Sequence, residues 1–146
     1  MKLYFEDLEE GSVFRGDECV VDKEEMLQYA VKNDPSPFHV DEDAARSSPY
    51  GGLIASGGYT VMLWYRSAIP ILARLAFLGG FEWHIKLPLP VRAQDRLRTE
   101  VTILSKKPSS KPGRGYVTTM HRVLNQSDQA VFTCEVVWMI ATKPLA

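Results

Sequence analysis

Cysteine is scarce in this 146-residue chain: Cys19 and Cys134 lie far apart, with no CxxC or Cys/His spacing. That argues against a disulfide framework and against a zinc site, and both thiols read as small buried apolar residues. An excess of positive charge is missing as well, since 17 Lys and Arg stand against 18 Asp and Glu for a formal net charge of -1. Without a basic footprint, nucleic acid is not an expected partner. The opening MKLYFEDLEEG is acidic and has no basic start followed by an apolar run. It is therefore not read as a secretion signal, and a cytoplasmic location is the expectation. Internal repeats, low-complexity tracts and linkers are lacking too. The most apolar stretch, Leu53 to Gly80, is interrupted by Arg66, Pro70 and Arg74. A charge at mid-bilayer is costly, so this stretch reads as a helix buried inside a soluble fold, and no membrane is expected as a partner.

What is present is the balance of an ordinary globular protein, 45% hydrophobic and 24% charged, in a length that suits one domain over residues 1–146. SVFRGDECVV (Ser12 to Val21) has the β-branched residues of a first strand. In DKEEMLQYAVKN, Asp22 followed by Glu25 resembles a capping box, and Met26, Leu27, Tyr29 and Ala30 supply an apolar stripe. This predicts a helix of three turns ending near Asn33, because Asp34 precedes Pro35. DEDAARSS predicts a short helix capped by Asp41. Four glycines, Gly51, Gly52, Gly57 and Gly58, then lead into the long apolar helix, which Pro70 should kink and Gly79–Gly80 should stop.

The second half is strand-like, over Phe81–Pro90, Asp95–Ser105, Gly115–Leu124 and Ala130–Thr142. Alternation is clearest at Leu97, Thr99, Val101 and Ile103, and again at Phe132, Cys134, Val136, Trp138 and Ile140. Turn residues in KPSSKPGRG and NQSDQ separate the last three strands and favour an antiparallel meander. One long buried helix with such a sheet makes the fold class α+β, the sheet wrapped round the helix.

Three features could meet and carry chemistry. Two prolines stiffen KNDPSPFHVDED around Asp34 and His39, an acid/base pair that could share a water and move its protons. Glycines allow close approach to the start of the long helix, and a helix start offers unpaired N–H groups and the positive end of the dipole. The Gly57 N–H is the candidate donor to a polarised carbonyl. His84 and His121, in strand-like stretches without a spaced partner, read as structural. Lys106, Lys107, Lys111 and Arg114 read as a solvated hairpin loop, with a phosphate contact as the competing possibility.

DPSPFH, followed by DEDAA and PYGGLIASGG, resembles the MaoC-like dehydratases, which include the (R)-specific enoyl-CoA hydratases. Asp34, Pro37, Phe38 and His39 fall on the family's motif in register, and Gly57 follows His39 by 18 residues as in the family. FEWHIKLPLPVRAQDRL resembles a later segment, an apolar strand and its turn. Three positions depart from the pattern. Ser36 stands where the motif usually has Asn, Ser56 where many hydratases have His, and Tyr65 near a helix serine.

The resemblance implies a hot-dog fold that forms a homodimer or higher homo-oligomer, and a site for an acyl-CoA thioester. It further implies reversible hydration of a trans-2-enoyl-CoA to a 3-hydroxyacyl-CoA, with Asp34 and His39 as the acid/base pair and the Gly57 N–H on the thioester carbonyl. Ser36, Phe38, Ser56, Gly58 and Tyr65 are expected around the substrate. No metal or prosthetic group is required, because coenzyme A arrives as part of the substrate. Two other readings compete: a non-catalytic domain that binds an acyl thioester, and a thioesterase on the same fold.

Overall fold

The structure, a computed structural model, describes residues 1–145. Two short strands, β1 (Val13–Arg15) and β2 (Cys19–Val20), precede a helical segment of α1 (Lys23–Asn33), α2 (Pro37–Val40), α3 (Glu42–Arg46) and α4 (Gly57–Leu72). Four long strands follow: β3 (Phe77–Lys86), β4 (Arg96–Pro108), β5 (Arg114–Leu124) and β6 (Ala130–Ala141). The strands form one antiparallel sheet in the order β1-β4-β5-β6-β3, with β2 also pairing to β4. The expected meander of the last three strands is therefore present, with β3 added beyond β6 at the edge.

Period-two alternation builds the inner face of this sheet. Leu97, Val101 and Ile103 of β4, and Phe132, Cys134, Val136, Trp138 and Ile140 of β6, are all buried, as the sequence pattern predicts. They enclose the inner face of α4, where Leu63, Trp64, Ala68 and Ile71 are buried against them. Buried polar groups on this surface are paired, which low dielectric demands. The Ser67 and Thr99 hydroxyls bond one another, and Trp64 Nε1 donates to His121 Nδ1 at 2.9 Å. No helix among the described residues is long and apolar enough to cross a membrane.

Three sequence expectations need correction. The long helix stops at Leu72, short of Gly79 and Gly80, which lie inside β3 at its register shifts. Pro70 falls in the last turn of α4 rather than at its middle, and beyond it the C-cap Ala73 N–H still donates to Ile69 O at 2.9 Å. The first strand is broken: Gly16 N–H donates to Thr99 O at 2.8 Å, and a Cβ at Gly16 would stand 2.3 Å from Ser67 O, so the chain passes too close to α4 for a continuous strand.

Both predicted helix caps are present, with one difference. Asp22 accepts from the Glu25 N–H at 2.8 Å, and Asp41 accepts from Asp43 and Ala44. Glu25, however, does not reach back to the cap. Its carboxylate accepts from Tyr59 Oη at 2.7 Å and from Arg66 Nη1 at 2.8 Å, tying α1 to α4. Cys134 is buried as expected, whereas Cys19 is partly exposed.

His121 is structural, as expected. Its imidazole is 1% exposed, and burial pushes its pKa down to about 3, so it is neutral at ordinary pH. A histidine whose folded pKa lies below its unfolded value supports the fold above the unfolded pKa and loses that support as pH falls toward the folded one. Wild-type stability to urea should therefore decline between about pH 6.5 and pH 3. A His121→Gln variant, which keeps an acceptor for Trp64, should lose less over the same window.

Candidate active site

The site begins where α1 ends. Asp34 is the C-cap of α1, with its N–H on Ala30 O at 2.8 Å and an extended φ of -158° that Pro35 favours. Two residues later Ser36 is the N-cap of α2 and Pro37 occupies its first turn, where proline's fixed φ suits a helix start. The single turn of α2 then carries His39 back toward Asp34. Asp34 Oδ2 stands 3.3 Å from His39 Nε2, with the imidazole 8% and the carboxylate 39% exposed. Stiffening of this segment thus places one side chain of each type face to face, at a point that solvent reaches.

The other ring nitrogen is committed. His39 Nδ1 lies 2.8 Å from Ile54 O, and a carbonyl only accepts, so Nδ1 carries a proton and Nε2 is the atom free to exchange one. The Phe38 ring meets the His39 ring edge-on, 4.6 Å between centroids.

Two hydroxyls hold the carboxylate. Ser56 Oγ donates to Asp34 Oδ2 at 2.8 Å, and Ser36 Oγ donates to Oδ1 at 3.0 Å. These bonds, Ser56's first, together with the facing imidazole, keep the Asp34 carboxyl below the usual carboxylate range.

Gly57 opens α4, where helix geometry supplies no acceptor for its N–H, and the side chain of Ser56 caps no backbone N–H. A side chain at either glycine would have to displace the end of a neighbouring one. A Cβ at Gly57 would stand 2.9 Å from Leu87 Cδ1, and one at Gly58 would stand 2.3 Å from Tyr29 Oη. Gly57 and His39 line a common cavity of about 300 Å³ with Phe38, Tyr50, Thr60 and the Leu87–Val91 segment.

Of the residues expected around a substrate, Phe38 lines this cavity. The Ser36 and Ser56 hydroxyls point to Asp34, and Gly58 faces Tyr29. Tyr65 lines a different cavity, of about 220 Å³, with Trp64, Phe77 and Trp83. Lys106, in β4, stands roughly 30 Å along that strand from Arg96, by the usual rise per residue. Its ammonium donates to Phe5 O at 2.9 Å. Sequence reasoning did not find Tyr50, Thr60, the Ile54 carbonyl or the Leu87–Pro90 wall. The alternating leucines and prolines of LPLP were a visible signal for the last of these.

A sequence model described as the MaoC like domain matches residues 7–125. The chain belongs to the MaoC-like family. Among solved structures, a MaoC-like dehydratase from Rhodospirillum rubrum is 33% identical, with a TM-score of 0.89 over 98% of this chain and 99% of that one. An uncharacterized protein, YdeM, from Bacillus subtilis is 31% identical over 131 residues, 86% of this chain and 89% of its own length. The R-hydratase PhaJ1 from Pseudomonas aeruginosa shares the fold at 22% identity, with a TM-score of 0.71 over 99% of this chain and 92% of that one. The fold is the hot-dog fold.

The lowered pKa has a signed consequence for stability. A carboxyl that ionises more readily when folded stabilises the protein above its unfolded pKa, and that support is lost as pH falls through the folded value. In carbon-detected NMR, Asp34 should titrate below an ordinary aspartate. Asp34→Asn should make stability fall less steeply with acidification than in the wild type, and parallel slopes would refute the assignment.

Proposed function

We propose that this MaoC-like protein is a hydro-lyase that adds water reversibly across a trans-2-enoyl-CoA thioester to give a 3-hydroxyacyl-CoA. The observation that carries this reading is the facing Asp34/His39 pair: His39 lines one cavity with the unpaired N–H of Gly57, and Asp34 Oδ2 stands 3.3 Å from His39 Nε2. Water held by Asp34 Oδ2 and His39 Nε2 gives up a proton to the pair while its oxygen bonds to C3. The C2–C3 π electrons move toward the carbonyl, and the Gly57 N–H stabilises the enolate oxygen that forms. The proton then returns to C2, so atoms and charge balance over the cycle. An acid/base pair of this kind contributes roughly 10²–10⁴-fold. In this reading no metal or prosthetic group takes part, and coenzyme A is the leaving end of neither direction.

Asp34→Asn and His39→Ala should each abolish hydration of trans-2-enoyl-CoA substrates, followed as loss of the conjugated thioester absorbance. Thermal midpoints should move by a few degrees at most, about what 1 kcal/mol does at this size. Full activity in either variant would remove the mechanism. Release of free thiol would instead indicate a thioesterase, and binding without product an acyl-thioester-binding domain.

We also propose that the working form is a homodimer joined along β3. This strand is the sheet's edge, and its helix-side residues Trp83 and Ile85, with the following Leu87, are 47%, 36% and 48% exposed. Tyr65 and Ile69 of α4 extend the same apolar surface. An unpaired edge flanked by exposed aromatic and aliphatic groups favours pairing with a second copy about a two-fold axis. Trp83→Glu should halve the mass measured by light scattering, and a wild type that is already monomeric would dispose of the proposal.

A further inference from the structure

Ser56 occupies the N-cap of α4, where a serine ordinarily bonds a backbone N–H of the first turn. Here its side chain makes no such bond and crosses to Asp34, 22 residues earlier in the chain. The residue is 2% exposed, so its hydroxyl is shielded from a ligand. Its neighbours Ala55 and Gly57 line the candidate cavity, whereas neither Ser56 nor the Asp34 carboxylate it holds does.

The oxygen it holds is Oδ2, the same atom that faces His39 Nε2. Ser36 holds the other oxygen, from the opposite side of the proline-stiffened turn. A hydroxyl on each oxygen leaves the carboxylate no free rotation about its last bond, so the plane of the group is set toward the imidazole. Among the described residues, His39 is the ionisable side chain in contact with Asp34. The serines are the other polar side chains on it, from the α2 cap and the α4 cap.

From this geometry we infer that Ser56 is a positioning residue: it fixes Asp34 Oδ2 against His39 and takes no part in binding substrate. The inference rests on the hydratase reading for its catalytic consequence, though the contact can be tested without turnover. Because both serines donate to the ionised form, each also favours the carboxylate over the acid. The same turn of Ser56 away from its cap leaves the first N–H groups of α4 uncapped, as a donor to a thioester carbonyl requires.

Ser56→Ala removes no helix-capping bond but does remove the bond to Asp34, so the variant should fold with a thermal midpoint several degrees lower, and Ser36→Ala serves as a second probe on the other oxygen. In carbon-13-labelled protein without substrate, the Asp34 carboxyl should titrate at higher pH in both variants than in the wild type. With a trans-2-enoyl-CoA, Ser56→Ala should lower kcat by on the order of tenfold to a hundredfold, the latter being the cost of a displacement of about 1 Å. KM should stay at the wild-type value, and the acid limb of the kcat/KM profile should move to higher pH.

An Asp34 titration unmoved by Ser56→Ala would overturn the inference, as would a raised KM at unchanged kcat, the mark of a substrate contact. Should the wild type turn over no enoyl-CoA, the hydratase reading fails, and the Asp34 titration alone decides whether Ser56 holds the carboxylate.

Discussion

The architecture of the site depends on how closely the first turn of α4 can be approached. At Gly57 and Gly58 the helix presents bare backbone, with Leu87 on one side and the Tyr29 hydroxyl on the other. Adding one carbon at Gly58 would require the hydroxyl end of Tyr29 to move aside, and one at Gly57 the tip of Leu87. The glycines thus let two side-chain ends rest on bare backbone at the start of α4, and their conformational freedom is secondary.

Contacts along α1 and α4 show how the dyad is held at a distance. The two helices run in opposite directions and touch in sequence. Glu25 meets Arg66 and Tyr59, the Tyr29 ring lies 5.6 Å from that of Tyr59, and Asp34 meets Ser56. The first contact is a charged cluster, the second an aromatic pair, and the third a hydroxyl on a carboxylate. Arg66 and Glu25 are well exposed, so their ion pair contributes little by itself. Tyr59 has its body in the core and its hydroxyl on Glu25, and burial with that bond raises its pKa beyond the ordinary phenol range. It stays a neutral donor and fastens α1 to the core. Asp34 is thus placed by a helix held at its first turn, its middle and its end.

Much of this was legible in the residues because local rules and the global fold agree. The inner faces of β4 and β6 alternate cleanly, and Asp22 and Asp41 cap helices where expected, since each signal is complete within a few neighbours. The facing of Asp34 and His39 was legible for the same reason: His39 follows Asp34 by five residues and two prolines limit the path. Long-range contacts left weaker traces. Nothing local says that the Glu25 carboxylate abandons its own cap for Tyr59, or that Ile54 O orients the imidazole of His39, 15 residues away. The helix boundary was misread because Gly79–Gly80 resembles a helix stop, whereas α4 ends at Leu72 and the glycines serve the bulged start of β3.

The serines show where type and spacing mislead even when the position is right. Ser36 lies between Asp34 and His39 in sequence and Ser56 precedes Gly57, so both are natural candidates for substrate contact. A hydroxyl donates one proton, and each of these is already given to a carboxylate oxygen. A ligand could only accept from them by breaking a bond to an ionised group, among the stronger hydrogen bonds available. The groups left for a thioester in this chain are then the backbone N–H of Gly57, the Nε2 side of His39 and the apolar wall of Phe38 and Leu87. In the hydratase reading, polar discrimination is concentrated at the reacting centre, and the acyl group beyond it meets the wall of Phe38 and Leu87. Shape selects weakly among homologous chains, at roughly 1–3 kcal/mol per methylene. Acyl-chain preference should therefore follow the volume at Phe38, Thr60 and Leu87 more than any charge in the site.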